Sequence, residues 1–206
     1  MTDNPDAAKA ALRTVMKDIR AAATKAARYG SGLQPEVAMN ERLRASGLIQ
    51  PENIVAVFIP IGSELDAVTV GGGLGAGLAL PVMQGVGQPL IFRAWRPGEP
   101  LAKRQWGISE PLDTAPDVRP DVFLIPLLAV DHQGYRLGYG GGFYDRTLER
   151  LRGDGGPLTT IGLALEAQIR EAVPRGPHDL PVDTILTPER LIQIAPGDSS
   201  YPPAQR

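Results

Sequence analysis

The sequence contains no cysteine. That excludes disulfides, thiolate-bound metals and cysteine nucleophiles, and it fits a reducing, cytoplasmic setting. Histidine is nearly as scarce, with only His132 and His178, each beside an aspartate; neither is assigned a catalytic role. No run approaches the roughly 18 apolar residues that a membrane helix requires. The first residues, MTDNPDAAKAALR, are polar and charged, unlike an ordinary secretory signal. Neither charge sign dominates: 21 Lys and Arg face 23 Asp and Glu, for a net charge of −2. A general nucleic-acid surface is therefore not expected, and an anionic ligand must instead meet a local basic cluster. There is no long linker, fixed-period repeat or low-complexity block, so residues 1–206 are expected to form one domain, with flexible tails at about 1–5 and 196–206.

What the sequence does have is glycine, proline and short apolar runs. Residues 5–27 read as an amphipathic helix, with Asn4 as N-cap, Pro5 at the first position and Asp6 complementing the positive end. Leu12, Val15, Met16 and Ile19 form its apolar stripe, while Lys9, Arg13, Lys17 and Arg20 form a basic one. From spacing alone, the basic stripe reads as a solvated face. A second helix is expected from Pro35 to Arg44, ending before Gly47. Strands are expected at Asn53–Ile59, Leu78–Met83, Pro89–Trp95, Val122–Pro126, Thr159–Leu165 and Val182–Thr187, with a short last one in LIQI. Gly71, Gly73 and Ala76 formally fit a dinucleotide fingerprint, but Pro81 comes too soon for the helix that fingerprint needs. Asp66 is read as the cap of a short helix instead. Strands alternating with helices imply an α/β domain with a mainly parallel sheet, whose ligands sit beyond the carboxyl ends of the strands.

RLGYGGGFYDR, residues 136–146, concentrates glycine between an arginine and an aspartate. Gly138, Gly140, Gly141 and Gly142 allow the backbone to approach a ligand and its N–H groups to form an anion-binding concavity. A helix opening at Phe143 adds its positive end, and Arg136 can fork onto phosphate oxygens. Asp145 is placed to hold Mg²⁺ directly or through water. No GK(S/T) follows, and Phe143 stands where a third glycine would complete GxGxxG. The residues alone support a phosphate site and a glycine-rich turn equally.

In this order, RLGYGGGFYDR resembles the signature of the 5-formyltetrahydrofolate cyclo-ligase family, also called 5,10-methenyltetrahydrofolate synthetases. KAALR, IPIGSELD, Leu80-Pro81, WGISEP, EAQI and HDLPVD follow with suitable spacing, so the resemblance runs from about Lys9 to Thr187. It implies a Rossmann-like three-layer single domain, with helices flanking the sheet. It also implies an ATP- and Mg²⁺-dependent ligase that turns 5-formyltetrahydrofolate into 5,10-methenyltetrahydrofolate through a phosphorylated formyl group, releasing ADP and phosphate. Lys9, Arg13 and the loop from Arg136 through Gly138, Tyr139, Gly140, Gly141, Gly142, Phe143 and Tyr144 would hold ATP, with Arg136 and Lys9 serving catalysis. Asp145 and Asp183 would ligate the metal, and Ile59, Glu64 and Trp106 would contact the folate. The expected state is a monomer acting on small molecules, without nucleic acid or membrane. Some relatives carry lysine at the position of Gly141; here Arg136, Lys9 and backbone amides would take its place. Two alternatives stay open: a non-catalytic nucleotide- or folate-binding protein, and a sugar-phosphate isomerase or CoA-transferase-like enzyme on a similar scaffold.

Overall fold

The computed structural model describes residues 5–30 and 32–195. Asn4 and the two expected tails fall outside them, apart from Pro5. The chain opens with helix α1 (Pro5–Tyr29) and helix α2 (Pro35–Ser46), which stops on Gly47 in a left-handed conformation. Strand β1 (Ile54–Ala56), the short helix α3 (Ala67–Gly71), β2 (Gly77–Met83) and β3 (Leu90–Ala94) follow. A hairpin of β4 (Leu101–Lys103) and β5 (Ser109–Pro111) precedes β6 (Asp117–Val118) and β7 (Val122–Ile125). Then come β8 (Ala129–Asp131), β9 (Arg136–Leu137), helix α4 (Phe143–Gly153), β10 (Thr159–Leu163) and β11 (Ile169–Arg170). The last strands are β12 (Thr184–Leu186) and β13 (Leu191–Gln193).

Eight strands form one sheet in the order β13-β12-β10-β7-β1-β2-β3-β6. The inner run from β12 to β2 is parallel, and the outer strands β13, β3 and β6 join antiparallel. Strand alternation builds the layers. Val55, Val57, Val122 and Leu124 face Met39 and Leu43 of α2 and Val70 of α3. Ala56, Phe123 and Ile125 face Leu148 and Leu151 of α4 on the other side. Each such buried aliphatic side chain contributes about 1.5–3 kcal/mol, so both faces of the sheet are needed to hold the layers. This is the expected α/β architecture.

Three expectations change. The first strand ends at Ala56 rather than Ile59, because the chain leaves the ladder ahead of Pro60, which has no N–H to donate. Val15 is exposed, so the expected stripe of α1 holds for Leu12, Met16 and Ile19 only, and the buried Arg20 and Thr24 extend it. The basic stripe therefore lies largely on the inward side of α1. The β4–β5 hairpin and the small sheet β11-β8-β9 were not foreseen, since two- and three-residue strands are too short to show a period. Asp66 does cap α3, accepting from Val68 N at 2.9 Å.

Candidate active site

The parallel strands β1 and β7 end at the same edge of the sheet, and each is followed by a proline-containing loop. Beyond that edge lies a cavity of about 540 Å³. Its volume falls within the range of small-molecule sites. α1 supplies Lys9 and Arg13 to one wall, and the loop after β1 supplies Phe58, Ile59 and Glu64. Pro81, Met83 and Leu90 form an apolar side, with Ile108 and Glu110 next to it. The whole stretch from Arg136 to Asp145 closes the cavity, joined by Asp179.

The glycine loop is held from both ends. β9 pairs with β8 before it, and α4 begins directly after Gly142, which is left-handed at φ 63°. Gly140 has φ 103°, and a methyl group there would stand 3.2 Å from the Arg13 guanidinium carbon. Only glycine suits both that backbone and that close approach. Arg13 Nε donates to Gly138 O at 2.9 Å, and Arg146 donates to Gly141 O. Cations thus pull the loop's carbonyls outward toward their own side chains. Arg146 also lies over the Phe143 ring, 5.4 Å from its centroid, and its Nε is buried without a hydrogen-bond partner.

Two ion pairs frame this loop. Lys9 bonds Asp179, and Arg136, itself buried, bonds Asp145 at 2.8 Å and the carbonyl of Leu180. Arg13 is held through its hydrogen bond to Gly138 O. Glu64 is buried on the opposite wall, accepting from Ile61 N at 2.8 Å, with Arg20 at 3.6 Å. Burial raises its carboxyl above the ordinary range, and Ile61 N–H, Arg20 and Tyr139 only partly offset this. Burial also pushes the Tyr144 phenol upward, the nearby Glu64 charge adding to the effect and Arg136 opposing it. Tyr144 is therefore a neutral hydroxyl at any physiological pH.

The structure brings together Lys9, Arg13, Ile59, Glu64, Arg136, Gly138 to Tyr144 and Asp145 in one cavity. It does not bring Asp183 there. Asp183 precedes β12 and accepts from the N–H and hydroxyl of Thr160, both at 2.7 Å, at the start of parallel strand β10. It lies 3.9 Å from Arg152, seven residues or about 10 Å of helix beyond Asp145. Of the expected pair, Asp145 lines the cavity and Asp183 does not; Asp179 lines it as well. A hard dication takes one or two carboxylates and completes its shell with phosphate oxygens and water; both cavity aspartates here are in ion pairs, Asp145 with Arg136 and Asp179 with Lys9. The Trp106 side chain lies outside what the structure describes, although its turn, Gln105–Gly107, abuts Ile108 of the cavity.

Four residues escaped the reading of their roles from sequence. Arg20 sat on the stripe read as solvated, and Arg146 at the end of the glycine signature. Glu110, buried and accepting from Met83 N at 3.0 Å, lies within WGISEP, and Asp179 within HDLPVD. The signal available was the landmark stretches themselves.

The fold and the cavity define an α/β protein with a two-sided pocket, a cationic glycine loop facing a carboxylate on an apolar floor. Residues 5–188 match the 5-formyltetrahydrofolate cyclo-ligase family. The chain is 33% identical over 198 residues to the 5-formyltetrahydrofolate cyclo-ligase of Mycolicibacterium smegmatis, spanning 89% of this chain and 95% of that protein. The Escherichia coli K12 enzyme of the same name is 39% identical over 79 residues, 38% of this chain and 42% of that protein. Aquifex aeolicus 5,10-methenyltetrahydrofolate synthetase superposes with a TM-score of 0.65 at 25% identity, covering 92% of this chain and 98% of that one. A Mycoplasma pneumoniae 5,10-methenyltetrahydrofolate synthetase shares the fold, with a TM-score of 0.58 at 21% identity, over 84% and 98% of the two chains. This chain is an enzyme and belongs to the 5-formyltetrahydrofolate cyclo-ligase family.

Proposed function

We propose that the enzyme uses ATP to close 5-formyltetrahydrofolate into 5,10-methenyltetrahydrofolate. The observation that supports this most is convergence: Lys9, Arg13, Arg136 and the glycine loop line the same cavity as Glu64 and Ile59. One wall suits a polyphosphate, the other a flat, partly apolar heterocycle.

A formamide oxygen is a poor leaving group. Transfer of the γ-phosphoryl makes an O–P bond at the formyl oxygen while the P–O bond to ADP breaks. N10 then attacks the formyl carbon, loses its proton, and phosphate departs with the former formyl oxygen. This chemistry asks for alignment and charge neutralisation rather than for a protein nucleophile. Arg13 and Lys9 would hold the phosphate oxygens on one side and the loop amides on the other. To reach a phosphate, Lys9 must exchange Asp179 for it. Arg136, already committed to Asp145 and Leu180, keeps the loop in shape and adds positive potential. Glu64 would orient the pterin by accepting from its N–H groups. Magnesium, held by Asp145 with Asp179 beside it, would neutralise phosphate charge. Nothing in this scheme requires a membrane or a second chain, and a cytoplasmic monomer is the matching proposal; among the described residues no helix is long and apolar enough to cross a membrane.

The test is a near-ultraviolet absorbance time course with 5-formyltetrahydrofolate and Mg²⁺, with and without ATP. Methenyl product that forms only with ATP supports the proposal. Turnover without ATP points to an isomerase or transferase, and nucleotide binding without product points to a binding protein.

A further inference from the structure

Arg20 is buried at 4% exposure in the middle of α1, and its guanidinium is shared among three loops. Nε donates to Ser63 Oγ at 3.1 Å in the loop after β1. Nη1 donates to Leu127 O at 3.3 Å in the loop after β7 and stands 3.6 Å from Glu64 Oε1. Nη2 donates to the hydroxyl of Tyr139, inside the glycine loop. The same guanidinium thus holds the Tyr139 hydroxyl and stands beside the Glu64 carboxylate. Arg20 donates to the phenol oxygen through one nitrogen and pairs with the carboxylate through the other.

Tyr139 belongs to the wall that faces a polyphosphate, and Glu64 to the wall that faces the second substrate. Among the described residues Arg20 is the polar bridge between them. The Tyr139 ring is 48% exposed and also sits under two cations, with Arg20 at 5.4 Å and Lys17 at 5.9 Å from its centroid. A ligand that draws the glycine loop toward itself must move the Tyr139 hydroxyl relative to Glu64. Arg20 and Glu64 are buried, so a shift in what Arg20 holds on one wall is felt on the other. We infer that Arg20 is a positioning residue that couples the two halves of the cavity through Tyr139 and Glu64, so that nucleotide and folate bind interdependently. Lysine would not serve, because a single ammonium cannot span three loops.

The inference rests on the proposed two-substrate function, and the experiment separates the two. Binding of 5-formyltetrahydrofolate is measured by calorimetry with and without the unreactive nucleotide β,γ-imido-ATP, and binding of the nucleotide with and without the folate. In the wild-type protein each ligand is expected to shift the other's Kd by the same factor, about fivefold or more. Tyr139→Phe keeps the ring and its cation contacts and removes only the hydroxyl. It should bring that factor to within about twofold of one, whatever it does to the affinity for either ligand alone. Arg20→Lys should lose the coupling as well. A wild-type protein that binds both ligands independently, or a Tyr139→Phe variant that keeps the full coupling, overturns the inference and leaves the function standing. Failure of the wild-type protein to bind either ligand removes both.

Discussion

Arg136 and Asp145, nine residues apart, meet across the glycine loop with the guanidinium Nη2 2.8 Å from Oδ1. The loop between them is thereby pinched at its base. Asp145 also accepts from Leu180 N at 3.2 Å, so the pinch is fastened to the chain ahead of β12. Asp145 therefore has a structural duty before any metal is considered.

Asp145→Ala should cost both stability and activity. It strands the buried Arg136, a loss of about 3 kcal/mol for a paired charge in a protein interior. Urea denaturation should show that drop, and ATP-dependent formation of the methenyl product should fall by at least about a hundredfold. Full stability with lost activity would assign Asp145 to the metal alone.

Asp183→Asn should behave differently. Its two bonds to Thr160 tie β12 to the start of β10. We expect a lower melting temperature with an unchanged Mg²⁺ dependence of activity, whereas Asp179→Asn should raise the Mg²⁺ concentration needed for half-maximal rate. A shifted Mg²⁺ curve for Asp183→Asn would return that residue to the metal site.

Glu64 gives a pH signature. Burial raises its folded-state pKa above the ordinary 4.5 of the unfolded chain. The folded protein thus holds this proton more tightly, and the associated stabilisation is complete below the unfolded value and is lost as pH rises through the folded one. The stability of the wild-type protein relative to Glu64→Gln should therefore be greatest below pH 4.5 and decline as pH rises through the raised folded-state pKa. Thermal melts of both proteins across that range check the sign.

Gly140→Ala combines a disfavoured φ with a methyl group 3.2 Å from the Arg13 guanidinium carbon. The backbone strain costs about 1–3 kcal/mol, and Arg13 must move. Nucleotide affinity should weaken by about tenfold or more, read by calorimetry, with the far-ultraviolet circular dichroism unchanged.

Much of the fold was readable because the central strands carry continuous β-branched and apolar runs, and helices such as α4 begin at recognisable signals. The glycine-loop side of the cavity was readable for the same kind of reason: glycine, arginine and aspartate were adjacent in one stretch. What escaped depended on contacts distant in sequence. Arg20 carries the same one-letter signature as a solvated arginine, and only the packing of α1 against three loops makes it a buried hub. Asp179 and Asp183 stand four residues apart in one segment, and periodicity cannot tell which one turns toward the ligand. The strand pairings of β4 with β5, and of β8 with β9 and β11, involve so few residues that tertiary contact, not local preference, decides them.

The bond between Lys9 and Asp179 spans 170 residues of sequence. Contacts so remote form late, because the intervening chain must first be ordered for the ends to meet. During synthesis, helix α1 leaves the ribosome long before the loop that will receive Lys9 exists. Its inward cations, Lys9, Arg13 and Arg20, are then exposed beside a helix that has nothing to pack against. The wall of the cavity that Lys9 helps to form is therefore completed only in the last stages of assembly, together with the final strands β12 and β13 of the sheet.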